Sequence, residues 1–498
     1  MRPIQHTFTA YFLSILTWQS AVCLAQQPTT LQNPPSAASG QGAEISDGEL
    51  DRIDKRVLLE RLNQLEKRLA AVESSLHAQN SQETGSERST ASLQTQPSSS
   101  QSVESVKHPD APIPQPPGSD LGNNSGLLPG TTLNFFFDGY YGYNFNNPIG
   151  RVNLLRPYDV SSNAFSINQS GMIVERLPNP ANGKPFGFRL DLQYGQATQT
   201  LQGNPANEPR PEIYRNIFQA YGSYVVPVGK GLTVDFGKFA SSLGVEGTYT
   251  KDQVNYSRSF WFSELPFYHL GIRANYKFND RFALNYWMVN GTQQSEPFNG
   301  FKDQFFGLSL QPKKTLSWNV NYYLGQENPD VVYFPNGGAP LDSPTLQGVP
   351  FQPIHPSANG KLHIFDSYLT WQTTPKLALA LEGDYVVQRI RSNSAPSHAD
   401  GGEVYAKYQL TPKIAVAGRA EYLSDRGGLF SGTTQALKET TFTTEYLFAD
   451  GFLMRGEWRR DFSNRPYFYT NTLGILKKEQ NTATLGLVWW FGKKQGNW

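Results

Sequence analysis

The stretch Ile272-Arg273-Ala274-Asn275-Tyr276-Lys277-Phe278 alternates apolar and polar side chains, turns at Asn279-Asp280-Arg281, and returns through Phe282-Ala283-Leu284-Asn285-Tyr286-Trp287-Met288. A period of two puts Ile272, Ala274, Tyr276 and Phe278 on one face of a strand and Arg273, Asn275 and Lys277 on the other. A three-residue connection keeps the apolar sets of both strands on the same side. The scheme recurs around Thr411-Pro412-Lys413 and around Ala449-Asp450-Gly451.

From 131 to 491 the segments number about sixteen, the gaps between them alternating short and long. The fourth spans 212–226, the twelfth 401–410 and the last 481–491; the second-to-third junction, Leu177 to Lys184, is longer than the other tight turns. An even number of strands, short turns on one side and long loops on the other describe a sheet closed on itself across a bilayer. The fold expected is all-β: a closed antiparallel transmembrane β-barrel of about 16 strands over 131–498, preceded by a short coiled-coil helix and disordered linkers. Even parity places both barrel ends on the short-turn side, which is the periplasmic side in such barrels. The closing run Leu485, Leu487, Trp489 and Phe491 resembles an outer-membrane insertion signal, with Trp498 a competing terminal aromatic.

Composition agrees with this reading. Net charge is +1 across 498 residues, so no basic surface for nucleic acid is expected. Aromatics reach 13%, as interfacial girdles require. Residues 1–25 read as a signal peptide, with Arg2, an apolar run from Phe8 to Trp18, and a small residue at Ala25. Cys23, the sole cysteine, would leave with it, so no disulfide is expected in the mature chain. Residues 26–48 read as disordered. In 49–79, Leu58, Leu62, Leu65, Leu69, Val72 and Leu76 form a heptad seam, either a periplasmic coiled coil or a single amphipathic helix. Residues 80–130 are a Ser/Pro/Gln-rich linker.

The runs Asn255-Tyr256-Ser257-Arg258-Ser259, Leu265-Pro266-Phe267-Tyr268-His269-Leu270-Gly271-Ile272-Arg273-Ala274 and Val289-Asn290-Gly291 resemble the OmpL-like β-barrel porin family. The resemblance covers roughly 131–491. It implies an outer-membrane channel for passive diffusion of small hydrophilic solutes or ions. The alternative is a structural anchor that tethers the envelope through its periplasmic coiled coil. The partners expected are outer-membrane lipid, small polar solutes or ions, a homotrimer by analogy with oligomeric porins, and the cell wall at the N-terminal helix.

Charge is costly at mid-membrane, so the charged phase of each strand should face the lumen. That assigns Arg189, Asp191, Arg215, Asp235, Arg273, Lys277, Glu382, Asp384, Glu403, Lys407, Arg419, Glu421, Glu445, Arg455, Glu457, Arg459 and Asp461 to the pore lining, either free in water or paired. Glu445 should sit opposite Arg455 across the Ala449–Gly451 turn. Loop 241–266 is the constriction candidate, carrying Glu246, Lys251, Asp252, Arg258 and Glu264 among aromatics. It either folds into the pore or caps the mouth. No catalytic motif is present, and no histidine pair has metal-ligand spacing; no enzyme, cofactor or metal is expected. His269 and His363 read as surface or interfacial, and His398 as a loop residue.

Overall fold

The computed structural model describes residues 130–492, apart from 202–207, 209–210, 329–330, 334–352, 357–358 and 391. The expected signal peptide, disordered segment, coiled coil and linker, and Trp498, lie outside the described residues.

Sixteen antiparallel strands close into one barrel. They are β1 Thr132–Asn144, β2 Ala164–Arg176, β3 Phe186–Tyr194, β4 Ile217–Val226, β5 Leu232–Ala240, β6 Tyr268–Asn279, β7 Phe282–Val289 and β8 Asp303–Lys313. The second half comprises β9 Leu316–Gly325, β10 Leu362–Thr374, β11 Leu377–Gln388, β12 Ser397–Gln409, β13 Ile414–Arg426, β14 Gln435–Ala449, β15 Phe452–Ser463 and β16 Glu479–Phe491. Each strand pairs with its neighbours in sequence, and β1 closes on β16, Phe135 opposite Phe491.

The short turns show why the apolar phase survives each reversal. Asn279 pairs with Phe282, Thr374 with Leu377 and Ala449 with Phe452, and each hairpin has a register shift just before the turn. Two turn residues plus one bulged residue amount to the three-residue step read from the sequence. Glu445 faces Arg455 in register, as expected.

The outer face is apolar, carrying among others Phe165, Phe236, Ile272, Val404, Phe442 and Leu485. Contacting rings band it at two levels. One band runs Phe448–Phe452–Trp489–Phe137, with successive ring centroids 4.7, 4.7 and 5.4 Å apart. The other runs Tyr286–Phe306–Tyr322–Phe365–Tyr385 across five adjacent strands. Amphipathic rings at two heights suit the two bilayer interfaces. Arg273 and Arg455 point inward and are buried.

Three local readings need correction. The fourth strand starts at Ile217, because Pro211 opens a short helix, Pro211–Tyr214, in place of strand. Arg215 therefore sits in a turn with Glu212 at 2.8 Å and is not a strand residue facing the lumen. The twelfth strand begins at Ser397, which puts His398 in a strand. His269 is fully buried, its Nδ1 3.1 Å from the Gly291 carbonyl and its ring packed beside Trp287 and Tyr323.

Candidate functional site

The connection from β5 to β6 decides the interior. Its residues from Thr250 to Trp261 are all buried although they belong to no barrel strand. Buried peptide groups need partners, and the inner wall provides them. Glu382 of β11 accepts from the Val245 amide at 2.5 Å. Glu421 of β13 accepts from the Phe260 and Trp261 amides at 2.9 and 2.8 Å, at the start of the short helix Phe260–Glu264 that Ser259 caps. Glu457 of β15 accepts from Tyr256 and Ser257 at 2.6 and 2.9 Å.

The loop's carbonyls are matched in the same way. Arg455 donates to Thr250 at 2.8 Å, Asn255 at 3.2 Å and the Gln253 carbonyl. Arg459 donates to the Arg258 carbonyl, and Arg419 to that of Ser257 at 3.1 Å. On the other flank the Thr250 amide reaches Gln169 at 3.0 Å, the Tyr256 hydroxyl reaches Asp138 at 2.7 Å, and Tyr249 donates to Asp191. The segment thus leaves the wall between β5 and β6, crosses the lumen and is fastened to β1–β3, β11, β13 and β15. Tyr256 can lie against β16 because that strand carries glycine there: a Cβ on Gly486 would sit 2.2 Å from the ring.

The five loop residues singled out above have separate roles. Arg258 staples the loop to itself, donating to the carbonyls of Gly247 (3.0 Å), Tyr256 (3.0 Å) and Thr248 (3.1 Å) beneath the Tyr158 ring. Glu246 accepts from the Ser259 amide at 2.8 Å and pairs with Arg419 at 2.8 Å. Lys251 and Asp252 pair at 2.7 Å. Burial pulls the Lys251 ammonium below its usual pKa, and Asp252 opposes the shift. Glu264 lies near Asp425 and Glu421; burial first, then those charges, push its carboxyl up to about 8.

These contacts revise the charged set. Glu382, Arg419, Glu421, Arg455, Glu457 and Arg459 hold the loop and do not stand free in lumen water. Glu445 bridges Arg455 at 2.9 Å and Lys407 at 3.3 Å. Arg273 pairs with Asp235 at 2.8 Å against the Tyr221 and Phe239 rings. Asp461 joins Arg156 and Arg459. Arg189 is held by Asp191 at 2.9 Å and Glu175 at 3.2 Å. Asp384 and Glu403 are buried in the β11–β12 wall.

Beside the loop lies a cavity of about 710 Å³ that reaches the short-turn residues Asn279–Phe282 and Gln311–Lys314. Its lining includes Arg189, Glu246, Asp252, Lys277, Glu382 and Glu403, together with the neutral Asn275, Ser309, Ser317, Asn319 and Thr370. Sequence reasoning missed Asp138, Asp366 and Glu439, all buried on the inner face. Their phase gave the signal: each is an even number of positions from an inward neighbour, as Asp138 is from Phe136 and Tyr140.

A closed sixteen-strand barrel, belted by aromatics and carrying an inward-folded loop between two of its strands, has the architecture of a porin. Residues 130–491 match the family described as putative beta-barrel porin-2, OmpL-like, and the chain belongs to that family. It is an outer-membrane, porin-like β-barrel. Among solved structures, it is similar to an anion-selective porin from Comamonas acidovorans, at 8% identity over 72% of this chain and 99% of that one, TM-score 0.46. The outer membrane channel DcaP of Acinetobacter baumannii gives 9% identity, 72% and 97% coverage, and TM-score 0.46. OmpT of Vibrio cholerae in a trimer form gives 10%, 72% and 99%, and TM-score 0.43. No curated protein matches the chain.

Proposed function

We propose that the barrel is a passive channel for small hydrophilic solutes or ions, with its aperture set by loop 241–266. The observation that carries this reading is the loop itself. It is bonded across the lumen by backbone groups on both flanks, and it leaves beside it a cavity lined by both polar and apolar side chains. A segment held at so many points is a fixed obstruction and not a mobile cap, so solutes would pass along the cavity side. There the lining combines charges of both signs, most of them already paired, with the neutral Asn275, Ser309, Ser317, Asn319 and Thr370, groups that favour polar over apolar solutes. No catalytic group is needed for this activity. On this reading residues 1–25 are removed on export, the 49–79 helix lies in the periplasm where it can touch the cell wall, and the barrel assembles as a homotrimer in outer-membrane lipid.

Planar-bilayer recording of the purified full chain should show discrete conductance steps, and liposomes should swell in graded sugars, amino acids and anions. Silence across a range of voltages, with folded barrel verified in the same preparation, would refute the channel.

A further inference from the structure

Four carboxylates cluster on β10–β12, where the first residues of the inward loop, Gly244 and Val245, meet the wall. Asp366 of β10 stands opposite Asp384 of β11, and Glu382 of β11 stands opposite Glu403 of β12. Their exposures are 2, 4, 3 and 3%. Oxygens of Asp366, Glu382 and Asp384 all lie within 4.8 Å of one another. Like charges in directly paired positions repel, and a buried carboxylate without a countercharge is strongly disfavoured.

The protein meets only part of this demand. Asp366 accepts from Asn321 at 2.6 Å and from the Gly244 amide at 3.2 Å, and Glu382 accepts from the Val245 amide. Among the described residues, no donor from outside the cluster reaches either oxygen of Asp384, nor Oε2 of Glu403. The guanidinium nearest in the wall, Arg419, is committed to Glu246 and Glu439 at 2.8 and 3.0 Å. The next acid along the ladder, Glu421, faces Glu403 but is satisfied by loop amides. The residual need is therefore local to these four side chains.

We propose that Asp366, Glu382, Asp384 and Glu403 bind a hard divalent cation of the Ca²⁺ type. Such ions take several oxygen ligands at about 2.4 Å, so ligand oxygens on opposite sides lie about 4.8 Å apart. The acids supply oxygens alone, the ligand class such ions prefer. Glu382 and Glu403 also line the cavity, which gives an entry path. The ion would share carboxylates with the Gly244 and Val245 amides and so fasten the root of the loop to β10–β12. Gly244 adopts a left-handed backbone, φ +81°, and a Cβ there would lie 3.1 Å from Glu382 Oε1, so the approach depends on glycine.

The site rests on the barrel reading but not on conduction, since uptake is read in detergent micelles where a silent barrel binds equally well. CaCl₂ is titrated calorimetrically into EDTA-treated, dialysed full chain. The wild type should take up one Ca²⁺ per chain and unfold at higher temperature in its presence. Asp384→Asn and Glu403→Gln keep the side-chain shape and remove charge, and each should weaken uptake about tenfold or more. Heat-modifiable gel migration verifies the fold of each variant. No uptake by the folded wild type, as expected if the acids only share protons, overturns the proposal. So does an unchanged isotherm in both variants.

Discussion

The wall that grips the loop and the wall across the cavity from it are built from different chemistry. On β13 and β15 the inner face carries Arg419, Glu421, Arg455, Glu457 and Arg459, all buried. On β6, β8 and β9 the stretch lining the cavity carries Asn275, Ser309, Ser317 and Asn319, with Lys277 and Lys313 only towards the short turns and Ser309 bonded to Asn319 at 2.7 Å. The first wall meets peptide groups that have lost their water; the second meets a space of solvent size. Charged partners form the stronger bonds to a desolvated peptide, while neutral amides suffice where water remains. Many charges on a barrel's inner wall therefore need not mean a strong field on a solute, because the loop consumes them.

That contrast is most exposed at Arg455. It serves three loop carbonyls and Glu445, so Arg455→Ala takes a charged donor from each of them, with Lys407 left on Glu445. Breaking a buried pair in this way costs about 3–5 kcal/mol. The loop tip should detach, raising single-channel conductance and open-channel noise. Asn319→Ala on the other wall should cost about 1 kcal/mol and leave the current steps near wild type. Equal effects from the two variants would erase the distinction between the walls.

Gly486→Leu attacks the gripping wall sterically, without touching a charge. The new side chain claims the space of the Tyr256 ring, so Tyr256 must leave Asp138. A core overfilled in this way costs about 1–3 kcal/mol. Conductance should again rise, by less than in Arg455→Ala, and Tyr256→Ala in the same chain should relieve the strain. An additive double variant would show that the ring and the glycine are independent.

How much of this was legible beforehand follows from what period two encodes. It fixed the faces of the strands, so the inward aim of Arg273 and the pairing of Glu445 with Arg455 could be read directly. It could not say what those faces meet. The partners of Arg455 lie about two hundred positions away in sequence, and they are backbone carbonyls, which leave no mark on residue identity. The run Asn255–Ser259, which carried the family resemblance, turns out to be the part that crosses the lumen, yet nothing in its composition says which strand it reaches. Arg215 was misplaced because the alternation beyond Ile217 was extended back to Glu212, into the stretch that Pro211 turns helical. His269 was misread because its burial comes from Phe239, Trp287 and Tyr323 on other strands, which its own strand does not reveal.

The mouth of the cavity offers a milder test. Lys313 and Lys314 lie at the short-turn end, on the neutral side of the lumen. Changing both to Glu should shift reversal potentials toward cation preference while leaving stability unchanged. The shift should be clear in dilute salt and fade toward 1 M, where the Debye length falls to about 3 Å. A salt-independent shift would point instead to an altered loop.

A final test uses pH at the edge of the gripping wall. Burial raises the Glu264 carboxyl to about 8, whereas a released loop would return it to near 4.5. Between those values the released state holds fewer protons, so raising the pH favours release, and lowering it favours the docked loop. The contribution is fully present below about 4.5 and is lost as pH passes through about 8. Glu264→Gln mimics the protonated group and should remove this component, leaving conductance at pH 9 closer to its value at pH 6 than in the wild type. Asp425 and Glu421 stand beside it, and their repulsion weakens in the same variant, which adds to docking in the same direction. Identical pH profiles for the two proteins would mean that Glu264 stays solvated and that the loop's last turn is not part of the clamp.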